Sequence, residues 1–105
     1  MVLNKNRSAR GIMEWNSMFE LTATADHVIV IFVKLPEGQK QDVLVNSAKE
    51  EIRKLLPEFY GQHVRLNGRI TTGMALVLGH ELAHVCKSVS IFDPKENSYV
   101  LCVTH

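Results

Sequence analysis

The run His27-Val28-Ile29-Val30-Ile31-Phe32-Val33 constrains this chain more than any other stretch, because five of its seven residues are β-branched. Stiff, branched side chains favour the extended backbone, and a strand this apolar has to be buried. It therefore needs other structure to cover it. Upstream, Phe19-Glu20-Leu21-Thr22-Ala23-Thr24 alternates apolar and polar residues, and Ala25-Asp26 supplies a turn between the two. This reads as a β-hairpin. Pro36-Glu37-Gly38 then breaks the chain.

Two helical stretches and three more strands follow. Asp42 is the candidate cap of a helix running to about Leu56, with Val45, Ala48, Ile52, Leu55 and Leu56 as its apolar stripe. Lys49, Glu50, Glu51, Arg53 and Lys54 cover its outside as a solvated face, and Pro57 closes it. A short strand over 63–66 leads to the tight turn Asn67-Gly68-Arg69. Thr71 or Thr72 caps a second helix that extends to about Lys87. That helix is apolar on nearly every side between Met74 and Val85, which predicts that it is enclosed. Strands over 88–92 and 99–103 flank a turn at Asp93-Pro94-Lys95-Glu96-Asn97. The expected fold is α/β: one domain with a mixed sheet and packed helices, in the order β-β-α-β-α-β-β.

A chain of 105 residues is one domain that buries a core without staples. Its net charge of +1 gives no global field for long nucleic acid or acidic membranes, so anion binding has to be local. No apolar run approaches the roughly 18 residues of a membrane span. Lys5, Arg7 and Arg10 lead into Gly11-Ile12-Met13-Glu14, which is no signal-peptide core. Cys86 and Cys102 lie in apolar stretches and read as buried free thiols in preference to a disulfide between them. A cytoplasmic protein is expected. Residues 1–17 are polar and basic without a clear period, and read as an extension ahead of a domain over 18–105.

His80-Glu81-Leu82-Ala83-His84 is the first candidate for chemistry. Residues four apart lie on one side of a helix, so both imidazoles point from one face. Spelled this way, the string is a zinc-peptidase motif: two histidine ligands, Glu81 to activate a metal-bound water, and Asp93 or His105 as third ligand. The surroundings differ from such enzymes, because two strands follow the helix at once and no H-x-x-G-x-x-H extension is present. The second candidate is the turn before the helix. Gly68 lets the backbone approach a ligand, the helix N-terminus presents unpaired N–H groups, and Arg69 offers a guanidinium fork to phosphate oxygens.

The turn Asn67-Gly68-Arg69, then His80 and His84, then Asp93-Pro94, then Thr104-His105 follow one another in an order and spacing that resemble the small CRISPR-associated ring nucleases of the Csx type, branch three. The resemblance covers about forty residues closely and the hairpin loosely. Asn67 takes the place of that family's serine, and Lys95 that of its arginine. The resemblance implies a distantly Rossmann-like domain that degrades cyclic tetra-adenylate, the messenger of type III CRISPR systems, in a manganese-dependent reaction. It implies a homodimer holding the ring, or a tetramer induced by ligand. By position, Asn67, Gly68, Arg69, Thr71 and Lys95 would contact the ligand, and His84, Asp93 and His105 would be catalytic. His80, His84 and Asp93 would be the ligands of Mn²⁺, or of Zn²⁺ in a peptidase. These residues form one site if the strands over 63–66 and 88–92 pair in parallel, since ligands gather beyond the carboxyl ends of such strands. A module that binds the ring without cleaving it is the non-enzymatic alternative.

Overall fold

The computed structural model describes residues 18–24 and 28–105. Five strands form a single mixed sheet whose spatial order is the order of the chain. They are β1 (Phe19–Ala23), β2 (Val28–Val33), β3 (His63–Gly68), β4 (Ser88–Asp93) and β5 (Ser98–Thr104). β1 and β5 run antiparallel to their neighbours, and the three central strands are parallel. Helix α1 (Gln41–Leu55) links β2 to β3, and α2 (Thr72–Ala83) links β3 to β4. Both crossovers step the same way along the sheet, so both helices cover one face. The expected α/β order is therefore observed. The turn at 25–26 and the extension over 1–17 lie outside the described residues. Among the described residues, no helix is long and apolar enough to cross a membrane.

The core lies between the sheet and the helices. Ile31 and Val33 of β2 alternate inward with Val64 and Leu66 of β3, and meet Ala48, Ile52, Met74, Leu78 and Leu82 from the helices. Apolar residues four apart (Leu44, Ala48, Ile52) give α1 its buried stripe. Leu44, and not Val45, takes the fully buried place at its start. Asp42 sits within the first turn of α1, where its carboxylate accepts the Val43 N–H at 2.9 Å. It is not the cap. The capping position is held by Lys40, whose side chain makes no cap bond. Pro57 does not end helical structure outright. It opens a 3₁₀ turn (Leu56–Phe59) that buries Phe59 completely. Proline is tolerated at such a start because the N–H it lacks would have no partner there.

Helix α2 departs from expectation in two ways. It is not enclosed, since Leu76 is 75% exposed and only one side of the helix packs. In a two-layer fold the outer side of a helix faces solvent whatever its sequence. The helix also ends at Ala83 and not near Lys87. Residues 84–87 leave it through N–H groups of Val85 and Cys86 that both donate to the Leu82 carbonyl. Val85 and Lys87 then bond backbone to backbone with Gly61 and Gln62, which feeds the chain into β4.

Candidate functional site

The turn after β3 is held by its neighbour strand. Gly68 has φ +97°, and a Cβ there would overlap the Val33 carbonyl oxygen and lie 2.8 Å from the Val33 nitrogen. Only glycine fits this approach. The next N–H, that of Arg69, donates to the same Val33 carbonyl at 3.2 Å. Thr71 is the N-cap of α2, and its hydroxyl accepts the Met74 N–H at 3.3 Å. The result is a rigid step from strand to helix with an exposed Arg69 beside the positive end of α2. Asn67 is committed within the turn. Its amide oxygen accepts the Gly68 N–H at 2.6 Å, and its amide nitrogen donates to the Tyr99 hydroxyl at 2.9 Å. Its side chain thereby braces the turn.

Parallel pairing of β3 and β4 brings the Asp93 turn to this same carboxyl edge. The Asp93 carboxylate accepts the Lys95 N–H at 2.9 Å, which folds the turn back and leaves Lys95 exposed. Asn67, Gly68, Arg69, Thr71, Asp93 and Lys95 thus share one end of the sheet.

The histidines lie at the other end. A helix joining two parallel strands has to run back against them, so the last turn of α2 reaches the amino edge of the sheet. Twelve residues of helix span about 18 Å. His80 is in that last turn and His84 is the C-cap, with their rings 4.9 Å apart and nearly perpendicular. β5 returns antiparallel to β4, and its last residue pairs with Ser88. His105 follows it there, with its N–H on the Lys87 carbonyl at 2.9 Å. Parallel pairing therefore unites the turn with Asp93 but separates both from the histidines. Asp93 does not join His84 and His105, and His80, His84 and Asp93 do not form a ligand set within one chain. Among the described residues, no group of three or more His, Cys, Asp or Glu side chains is placed to hold a metal. The donors of one chain are therefore not placed to hold the implied Mn²⁺ together.

The amino edge contains a residue that sequence reasoning passed over. His63 opens β3 and its Nδ1 lies 2.6 Å from the Ser88 hydroxyl, so His63, His84 and His105 share this end. The signal was available: two parallel strands that each begin with a polar residue set those residues side by side. His27 lies outside the described residues.

Glu81 has a structural partner. It is buried, and its carboxylate accepts a hydrogen bond from Arg53 of α1 at 3.0 Å. The hydrogen bond and charge of Arg53 hold the carboxyl below its usual range despite the opposing cost of burial, and the Arg53 guanidinium is raised in return. Arg53 therefore does more than solvate the outside of α1. Beside this pair, a groove of about 310 Å³ between the helices is lined by Lys49, Leu76, Val77 and His80. Cys86 is buried, which pushes its thiol up to about 12, while Cys102 is exposed on the edge strand β5. Both are free, and the expectation of two buried thiols holds for Cys86 alone.

No family model matches this chain, and no curated protein does.

Proposed function

We propose that this protein is a ring nuclease that binds cyclic tetra-adenylate at the carboxyl edge of its sheet and opens it with histidines from the amino edge of a second copy. The observation that carries this reading is the Asn67-Gly68-Arg69 turn. A glycine locked against Val33 presents an exposed guanidinium and the capped start of α2 at one place. Oriented N–H groups and a fixed cation suit a phosphodiester. Asp93 and Lys95 border the same surface.

Ring opening needs an attacking ribose hydroxyl or water, a base to take its proton, and an acid for the departing ribose oxygen. As the new P–O bond forms, the opposite one breaks, and Arg69 offsets charge on the phosphorane oxygens. Histidine serves as base or acid near neutral pH. Since about 18 Å of helix separates Arg69 from His84 within one chain, the two act on one phosphate only when supplied by different copies. The zinc-peptidase alternative is weakened by Glu81, whose carboxylate is buried against Arg53 and not free to activate a water.

The test is incubation with cyclic tetra-adenylate, with and without Mn²⁺, resolved by chromatography. Linear products are expected. His84→Ala should cut cleavage at least about 100-fold while the ring still binds, and Arg69→Ala should weaken binding. Mixing the two variants should restore cleavage above either alone, because some interfaces then carry an intact turn and an intact histidine. An unbound, uncleaved ring together with stoichiometric zinc would replace this reading by the peptidase.

A further inference from the structure

Both helices cover one face of the sheet, and among the described residues no element covers the other. That open face is uneven. Val64 and Leu66 of the central strand β3 are buried in the core, so His63, Arg65 and Asn67 turn outward. The amino half of the face holds no Phe, Tyr or Trp among the described residues. Its three aromatic rings, Phe32, Phe92 and Tyr99, lie in one row at the carboxyl end. Pairing sets Phe32 beside Asn67 and Phe92 beside Tyr99, and Leu66 opposite Ile91 brings the two pairs level. We infer that this row is the seat of a purine base, stacked on Phe32 while the phosphate of the same nucleotide lies at the Asn67-Gly68-Arg69 turn. The identity of the ligand rests on the ring-nuclease reading; the seat for its base rests on the sheet.

The three rings are not equivalent. Phe92 and Tyr99 engage each other edge to face, with centres 5.4 Å apart. The Arg65 guanidinium lies 5.1 Å from the centre of the Tyr99 ring, and the Tyr99 hydroxyl accepts the Asn67 amide at 2.9 Å. These residues brace one another. Phe32 is 44% exposed and has no ring contact among the described residues. An exposed aromatic ring on a sheet is a platform for a base, because every base offers a π face to it. Neighbouring strands are about 4.8 Å apart, and Phe32 adjoins Asn67, the residue before Gly68. A nucleotide whose phosphate meets Arg69 therefore reaches Phe32 across its own ribose. Asn67 spends one amide hydrogen on Tyr99, so its second hydrogen and that of the Tyr99 hydroxyl remain for the acceptor nitrogens of adenine. Charge agrees with an anionic ligand. Glu20, beside Phe32 on β1, is paired with Lys34 at 3.3 Å, and Asp93 accepts the Lys95 N–H. Lys34, Arg65, Arg69 and Lys95 outnumber these two carboxylates at this end of the sheet.

Calorimetric titration of the full chain tests this. The probes are phosphorothioate analogues of cyclic tetra-adenylate and cyclic tetra-uridylate, which share their charge and resist cleavage. The wild-type chain should bind the adenylate ring at least about tenfold more tightly, because a purine covers more of Phe32 than a pyrimidine does. Phe32→Leu keeps an apolar side chain on β2 but removes the ring. It should weaken the adenylate ring at least about tenfold and the uridylate ring much less. Phe32→Trp should retain binding. In a Trp15→Phe background its indole is the only one in the chain, and the adenylate ring should quench its fluorescence. Circular dichroism confirms that each variant is folded. Unchanged adenylate affinity in Phe32→Leu overturns the inference and leaves the ring-nuclease reading standing. Equal wild-type affinity for the two rings overturns it too. A wild-type chain that binds neither ring removes that reading and this inference together. A native ring that is bound through Phe32 but never cleaved removes the activity and keeps the seat.

Discussion

Gly68→Ala should be far more damaging than its chemistry suggests, and Gly61→Ala provides the matched control. Both glycines have positive φ, +97° and +69°. An alanine in that region costs about 1–2 kcal/mol in either place. The surroundings differ. A Cβ at Gly61 meets nothing within 4 Å, whereas one at Gly68 collides with the backbone of Val33. Backbone in a paired strand cannot turn aside like the end of a flexible side chain. The turn has to move away from β2, which breaks the Arg69 N–H bond to Val33, worth about 1 kcal/mol net, and strains the end of the ladder. The total for Gly68→Ala is about 3 kcal/mol, against about 1 for Gly61→Ala. For a domain of this size, each kcal/mol lowers the melting temperature by about 4–8 °C, so thermal denaturation should show a loss of about 12 °C or more at Gly68. Ring affinity should fall with it, because Arg69 moves with the turn. Equal melting temperatures for the two variants would refute the close approach to Val33 and the rigidity of the turn.

Glu81→Gln should retain most ring cleavage, and full loss in a folded, ring-binding variant would count against the assignment. The same pair sets a pH dependence. The folded Glu81 carboxyl is depressed, so its contribution is complete above the ordinary carboxylate value of 4.5 and is lost as pH falls below it. Melting curves of wild-type and Glu81→Gln protein should differ at neutral pH and converge in acid; a constant difference would disprove the linkage. In native protein at pH 8 a thiol reagent should label Cys102 alone, because the Cys86 thiol is buried and raised to about 12. Denaturant should release the second thiol, and two fast thiols in the native state would contradict the burial of Cys86.

Much of the architecture was legible because period and punctuation agree. The β-branched run over 28–33, the breaks at Pro36-Glu37-Gly38 and Pro57, and the Asp93 turn each mark a boundary that the fold respects to within a residue or two. The enclosure of α2 was misread because its apolar residues continue onto a solvent-facing side, and sequence alone does not say how many layers surround a helix. The convergence of the site within one chain fails for a directional reason. Parallel pairing of strands 63–66 and 88–92 was expected to bring His80, His84, Asp93 and His105 together, and the pairing is observed, but a crossover helix and an antiparallel final strand both run away from the carboxyl edge. The Arg53–Glu81 pair was invisible because it depends on how α1 and α2 dock, 28 residues apart in sequence.

The agreement between chain order and sheet order has its own consequence for assembly of the fold. No strand has to be inserted between two others already in place, so each new strand adds at the growing edge beside the one made before it. The two parallel pairings each wait on the closure of a helical crossover, which makes them the slow steps of folding. Amide exchange should follow the same geometry, slowest in β3, the middle strand of the five, and fastest in the outer strands β1 and β5.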